Sequence, residues 1–125
     1  MITQAQAEIS CIQNGGHLTS IESFPENDFI RELTHIGLIT GWQASQFWTG
    51  GQRNGSGWYW LDGTYFNYTN WAGSYAYGNP CCTYFSPDIF TNWGHEPGQW
   101  DCPACTDTRA AYVCKKSTKT VPTGC

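Results

Sequence analysis

The spacing of apolar residues changes after Gly41, from a helical period to short aromatic runs. Thr3 to Asn14 reads as a short helix, with Thr3 able to cap its amino end and Gly15-Gly16 stopping the other. Ala7 and Cys11 share one face at i, i+4, so the cysteine points inward beside a small residue. His17-Leu18-Thr19-Ser20-Ile21 forms a brief extended stretch. A second helix starts at Ser23-x-x-Glu26, a capping-box pattern with Pro25 in the first turn and Asp28 at the positive end of the dipole. Phe29, Ile30, Leu33 and Ile36 predict its buried stripe, and Arg31, Glu32 and His35 face water. Gly37 and Gly41 mark its exit.

Strands and turns follow. Phe47 to Gln52 and Trp58 to Leu61 are short aromatic strands, and Asn54-Gly55-Ser56-Gly57 between them is a hairpin loop. Asp62-Gly63 turns the chain again. Tyr65 to Pro80 is nearly aperiodic and rich in Asn, Gly, Tyr and Trp, the composition of a long ordered loop. Cys82 to Phe85, Gln99 to Trp100 and Arg109 to Lys115 supply later strands. Helices first and strands after define an α+β domain.

Composition narrows the class. The 125 residues suit one domain, and 16% aromatic against 13% charged leaves rings either packed in the core or displayed to a ligand. A net charge of -4 with 6 Lys+Arg argues against nucleic acid, whose phosphates demand basic side chains. No apolar run has membrane-spanning length, so membrane insertion is not expected. Seven cysteines point to an oxidising, extracellular setting, and the sequons Asn54-Gly55-Ser56 and Asn67-Tyr68-Thr69 agree with it. Met1 to Ser10 has no apolar signal segment, so the chain reads as a piece of a longer precursor.

Six motifs in order now resemble a known family. Ala7-x-x-x-Cys11 with Gly15-Gly16-His17-Leu18-Thr19-Ser20-Ile21 and Glu26-Asn27-x-Phe29-Ile30 is similar to the opening of a C-type lectin-like domain. Phe47-Trp48-Thr49-Gly50-Gly51, Trp58-Tyr59-Trp60-Leu61-Asp62-Gly63-Thr64, Asn70-Trp71, Gly98-Gln99-Trp100-Asp101 and Tyr112-Val113-Cys114 continue the likeness. Gly50-Gly51-Gln52-Arg53 and the Lys115-Lys116 ending look most like nematode members. The resemblance implies a double-loop fold: two helices, two small antiparallel sheets and a long disulfide-fastened loop carrying the ligand site. On it, residues 1–116 form the domain and 117–125 a linker or tail. On the same resemblance, the family's first strand, which pairs with the last one, is expected to be absent ahead of the first helix.

The same resemblance implies a disulfide from Cys11 to Cys114 and a second bond at the base of the long loop. Here the parts are doubled, Cys81-Cys82 facing Cys102-x-x-Cys105. The family's offset from Trp100 pairs Cys105 with Cys82 and leaves Cys81 for Cys102. Neighbouring strand residues point to opposite faces, so parallel bridges need a bend and the exchanged pairing stays open. Zinc is the competing use of Cys-x-x-Cys, for which adjacent cysteines make a poor second half-site. Cys125 is left over, and reads as the first residue of a following domain or as an intermolecular bridge.

Sugar-binding members of the family hold calcium in the long loop, and calcium takes six to eight oxygens. Ala72 to Pro80 contains no acidic residue, and the family's Trp-Asn-Asp has become Trp100-Asp101-Cys102. No cofactor is required by the motifs. Calcium enters only if the insertion Ser86 to Pro97 rebuilds a site from Glu96 and Asp101, with Asp88 and loop carbonyls; surface carboxylates are the plainer reading. Aromatic residues dominate the loop: Trp71, read as core, and Tyr75, Tyr77, Tyr84, Phe85, Phe90 and Trp93, which either stack on sugar rings or cover one another. The candidate ligand contacts are Tyr75, Tyr77, Asn79, Trp93, Glu96, Gln99 and Asp101. These residues point to a secreted recognition module for a glycan or glycoprotein, with a degenerate calcium site. The alternative is a calcium-independent module for a protein ligand, since a fold does not fix a function. No nucleophile elbow or His-Glu-x-x-His helix is present, and His17, His35 and His95 read as structural or surface residues, so an enzyme is not expected.

Overall fold

A computed structural model describes residues 1–35, 46–76, 79–88 and 96–116, with backbone alone over 73–76. Helix α1 spans Gln4–Gln13 and starts with a reciprocal capping box: Thr3 Oγ1 accepts from the Gln6 N–H, and Gln6 Oε1 accepts from the Thr3 N–H. Its inner face is Gln4, Ala7 and Cys11. Strand β1, His17–Leu18, follows. Helix α2 spans Phe24–Thr34, with Ser23 Oγ accepting from the Glu26 N–H. Glu26 does not return the bond to Ser23. Its carboxylate accepts from the Glu22 N–H at 2.7 Å and pairs with Lys115 Nζ at 2.8 Å.

The stripe expected on α2 is only partly buried. Ile30 is 4% exposed, whereas Phe29 and Leu33 remain 63% and 65% exposed; Ile36 lies outside the described residues. The buried partner of Ile30 is instead a polar residue, Asn27. Its Oδ1 accepts from the Trp100 indole N–H at 2.6 Å, and its Nδ2 donates to Gly98 O at 3.0 Å. The helix therefore touches the core along a narrow strip held by an amide. Of the residues expected to face water, Arg31 is half-buried and pairs with Asp28 at 3.0 Å, while Glu32 and His35 are exposed.

The remaining strands are β2 (Phe47–Asn54), β3 (Gly57–Trp60), β4 (Trp71–Ala76), β5 (Cys81–Ser86), β6 (Gln99–Cys102), β7 (Ala111–Tyr112) and β8 (Cys114–Lys115). β1 and β8 form a small antiparallel pair. The large sheet runs β3-β2-β5-β6-β4, with β7 also on β2. It is mixed rather than antiparallel throughout, because β4 pairs with β6 and β7 with β2 in parallel. β4 arises inside the stretch expected to be loop; its bonding comes from the distant β6, which local composition does not reveal. Ahead of α1, Ile2 exchanges two main-chain hydrogen bonds of 2.9 Å with Arg109, a single bridge where the family's first strand is expected.

The large sheet separates two apolar clusters. In the ladder Trp48 faces Tyr84 and Phe47 faces Phe85. Alternation sends the first pair toward α1, with Ala7, Cys11, Leu18 and Cys82, and the second toward α2, with Ile21, Ile30, Trp60, Trp100 and Val113. Gly50 lies where β2 crosses β1: a methyl group there would meet Leu18 O at 2.8 Å. Arg109 is buried on the α1 side, its guanidinium 4.4 Å from the Tyr84 ring centre and 5.4 Å from that of Trp48, with Nε donating to Gln46 Oε1 at 2.9 Å.

Candidate ligand-binding site

Three disulfides brace the molecule: Cys11–Cys114, Cys81–Cys102 and Cys82–Cys105. All four loop-base cysteines are thus in disulfides, which excludes the zinc alternative for them. The neighbours Cys81 and Cys82 reach separate partners because the chain turns after β6. The Cys82 N–H donates to Pro103 O at 2.9 Å, and Cys81 bridges to Ala104. Cys102 and Cys105 thereby meet opposite faces of β5, which provides the bend that adjacent cysteines demand.

These bonds fix the stem of the long loop, and β5 with β6 decides where its side chains stand. Asn79, joined to Pro80 by a cis peptide, precedes β5. Its amide is engaged by the hairpin turn, with Oδ1 accepting from the Gly55 N–H at 2.8 Å and Nδ2 donating to Gly55 O at 2.9 Å. Glu96 lies at the start of the turn before β6, and Gln99 is the first residue of that strand. Gln99 Oε1 accepts from the Glu96 N–H at 2.9 Å, and Gln99 pairs with Ser86 at the far end of β5. The turn depends on Gly98, whose φ of +87° suits glycine and whose carbonyl accepts from both Asn27 and Asn70 at 3.0 Å.

The expected cluster of ligand contacts is therefore split. Along β5 its two ends stand about 17 Å apart. Asn79 lies at one end, where the parallel register with β6 also places the backbone of Tyr75; Glu96 and Gln99 lie at the other. Asp101, between them, is 1% exposed and stands opposite Tyr84, so its carboxylate belongs to the face covered by α1, where Oδ1 accepts from the Cys102 N–H at 2.8 Å. Tyr77, Phe90 and Trp93 lie outside the described residues, and the side chain of Tyr75 is not described. Tyr84 and Phe85 are buried, so for these two rings mutual covering prevails over display. Trp71 packs edge-on against Trp100 with ring centres 5.4 Å apart, as a core residue.

Among the described residues, the carboxylates do not gather into a set that fits the calcium ion the fold implies. Asp101 is buried, Asp88 is buried and paired with His35, and Glu96 is exposed at the loop turn. Among the described residues no three His, Cys, Asp or Glu side chains gather where they could hold a metal. A rebuilt site from Glu96 and Asp101 is thus not formed by these groups: strand alternation turns the Asp101 carboxylate into the interior.

The sequence reading missed a recess of about 680 Å³ lined by Gly15, Gly16, His17, Asp62, Thr64, Lys115 and Lys116. Ser20 Oγ donates to Asp62 Oδ2 at 2.5 Å and accepts from Lys115 Nζ at 2.8 Å, while Asp62 Oδ1 also accepts from Thr64 N–H and Oγ1–H. Burial works to raise the Asp62 pKa, but the Ser20 and Thr64 hydrogen bonds and the Lys115 charge outweigh it and hold the carboxyl below its ordinary range. The Asp62-Gly63-Thr64 turn was legible; its partner Lys115 is brought in only by the β1–β8 pairing.

With helices, sheets, disulfides and loop stem in place, the class is clear: the chain belongs to the Lectin C-type domain family, whose model matches residues 2–116. It is similar to a type-2 ice-structuring protein of Osmerus mordax, 31% identical over 122 residues that make up 94% of this chain and 62% of that protein. It is also similar to the galactose-specific lectin nattectin of Thalassophryne nattereri, 40% identical over 70 residues, covering 54% of this chain and 42% of the lectin. The chain thus spans less than two thirds of either relative. Its fold matches the crystal structure of a calcium-independent type II antifreeze protein at a TM-score of 0.69 and 25% identity, covering 90% of this chain and 77% of that one. These matches lend no support to the nematode likeness read from Gly50-Gly51-Gln52-Arg53 and Lys115-Lys116. No helix among the described residues is long and apolar enough to cross a membrane.

Proposed function

We propose that this chain is an extracellular ligand-recognition module that binds carbohydrate by direct polar and aromatic contacts, without a calcium ion shared with the sugar. The observation that carries this reading is the inward, buried carboxylate of Asp101 beside a cysteine committed to the Cys81 bridge. A calcium-chelated diol needs both oxygen ligands and open coordination positions. The galactose specificity named for nattectin supports glycan as the ligand class, and three internal disulfides suit an oxidising compartment. Tyr75, Tyr77 and Trp93 are the candidate stacking rings, while Glu96 and Gln99 supply polar groups at the loop turn.

A glycan array run in calcium and again with chelator tests the proposal. Binding is expected to survive the chelator and to weaken at least tenfold in Tyr77→Ala or Trp93→Ala, the loss of about 1.4 kcal/mol. Binding abolished by chelation would overturn calcium independence. A second reading, recognition of a protein ligand, is favoured by the unburied Phe24, Phe29 and Leu33 of α2. A folded protein silent on the array in both conditions would select it.

A further inference from the structure

We propose that Asn67 is an N-glycosylation site whose first sugar packs against the exposed ring of Tyr65. Between β3 and β4, residues 65–70 alternate in burial, the mark of extended backbone. Phe66, Tyr68 and Asn70 turn inward. Phe66 stacks on Trp60 with ring centres 4.6 Å apart, Tyr68 meets Trp100 edge-on at 5.7 Å, and Asn70 Nδ2 donates to Gly98 O. These three contacts fix the phase of the segment. Tyr65, Asn67 and Thr69 consequently face solvent, with Tyr65 79% exposed.

Both side chains that a sequon requires, the Asn67 amide and the Thr69 hydroxyl, thus stand on one accessible face. Tyr65 stands on the same face, about 7 Å along an extended chain. That spacing is comparable with the width of a pyranose ring, and an exposed aromatic face is a fitting surface for sugar C–H groups. The other sequon offers less. Two residues before Asn54 lies Gln52, half-buried and donating to Gln4 Oε1, and the Gly55 main chain after it is bonded both ways to Asn79.

The donor is an oligosaccharide linked through its anomeric carbon to a lipid pyrophosphate. Asn67 Nδ2 forms a bond to that carbon as the carbon–oxygen bond to the pyrophosphate breaks. The amide gives up one proton, and the lipid pyrophosphate leaves with the bonding electrons.

The test is to secrete the whole chain from a eukaryotic host and map its peptides before and after an amidase that releases N-glycans and leaves aspartate. The Asn67 peptide is expected to carry glycan and to become aspartate on release. An unmodified Asn67 in folded, secreted protein would overturn the site. The packing partner is tested separately, by melting each protein before and after deglycosylation. Deglycosylation should lower the melting temperature of the wild type and of Tyr65→Phe, and leave that of Tyr65→Ala unchanged. Equal shifts in all three would overturn the role of the ring. Tyr65 is exposed enough for both variants to fold.

Discussion

Replacing Asn27 by alanine should destabilise the domain far more than an exposed helical asparagine would. In the native structure its side chain is buried, accepts the indole proton of the fully buried Trp100 and donates to Gly98 O. The carbonyl retains Asn70 as a donor after the substitution, whereas the indole N–H loses the acceptor that Asn27 Oδ1 supplies. The loss is one ordinary hydrogen bond plus the desolvation of an orphaned N–H, together about 2–4 kcal/mol. A domain of this size loses roughly 3–5 °C per kcal/mol, so the melting temperature should fall by about 10 °C with disulfides intact. The assay is urea unfolding of wild type, Asn27→Ala, Trp100→Phe and the double variant. The two single changes break the same bond, so the double should cost less than their sum by about 1 kcal/mol or more. A cost of Asn27→Ala below about 0.5 kcal/mol, or strict additivity, would refute the idea that an amide clamps α2 to the loop turn.

Three other outcomes follow from the packing. Gly50→Ala should cost about 1–3 kcal/mol by chemical denaturation, because its methyl group would lie 2.8 Å from Leu18 O in main chain that cannot swing aside. On α2, Phe29→Ser and Leu33→Ser should each stay within about 0.5 kcal/mol of wild type, while Ile30→Ala should cost about 2–5 kcal/mol; equal losses at all three would restore the continuous buried stripe. The lowered Asp62 pKa means stability that is present above its ordinary value of 3.8 and lost as pH falls through the lower folded value. Thermal melts from pH 6 to about pH 2 should therefore show a shallower acid decline in Asp62→Asn than in wild type, and an unchanged slope would remove Asp62 from the linkage.

Much of the fold was legible because its signals are local. Thr3 and Ser23 announce helix starts, Gly15 and Gly55 the turns, and the spacing of aromatic residues the β2–β3 hairpin. The buried face of α2 was not, because a 3.6-residue period finds a helix without telling which apolar residues meet a partner. Phe29 and Leu33 fit the period and still face water. β4 was hidden for the opposite reason, since its partner β6 lies far away in sequence. The candidate site was drawn from residue type, and register dispersed it. Asn79 and Gln99 fall at opposite ends of β5, and alternation turns Asp101 inward. No composition argument reports which end of a strand a side chain occupies.

The Cys11–Cys114 bond also has a mechanical meaning. It joins residues 103 apart and closes a ring around most of the domain. Tension applied to the chain on either side passes from α1 to β8 through two sulfur atoms. Chain ahead of Cys11 or beyond Cys114 can be drawn out, but the sheet and loop stem enclosed between them are shielded from the load. A recognition surface built inside such a ring keeps its shape under a pull that would unravel an unbridged domain from its ends.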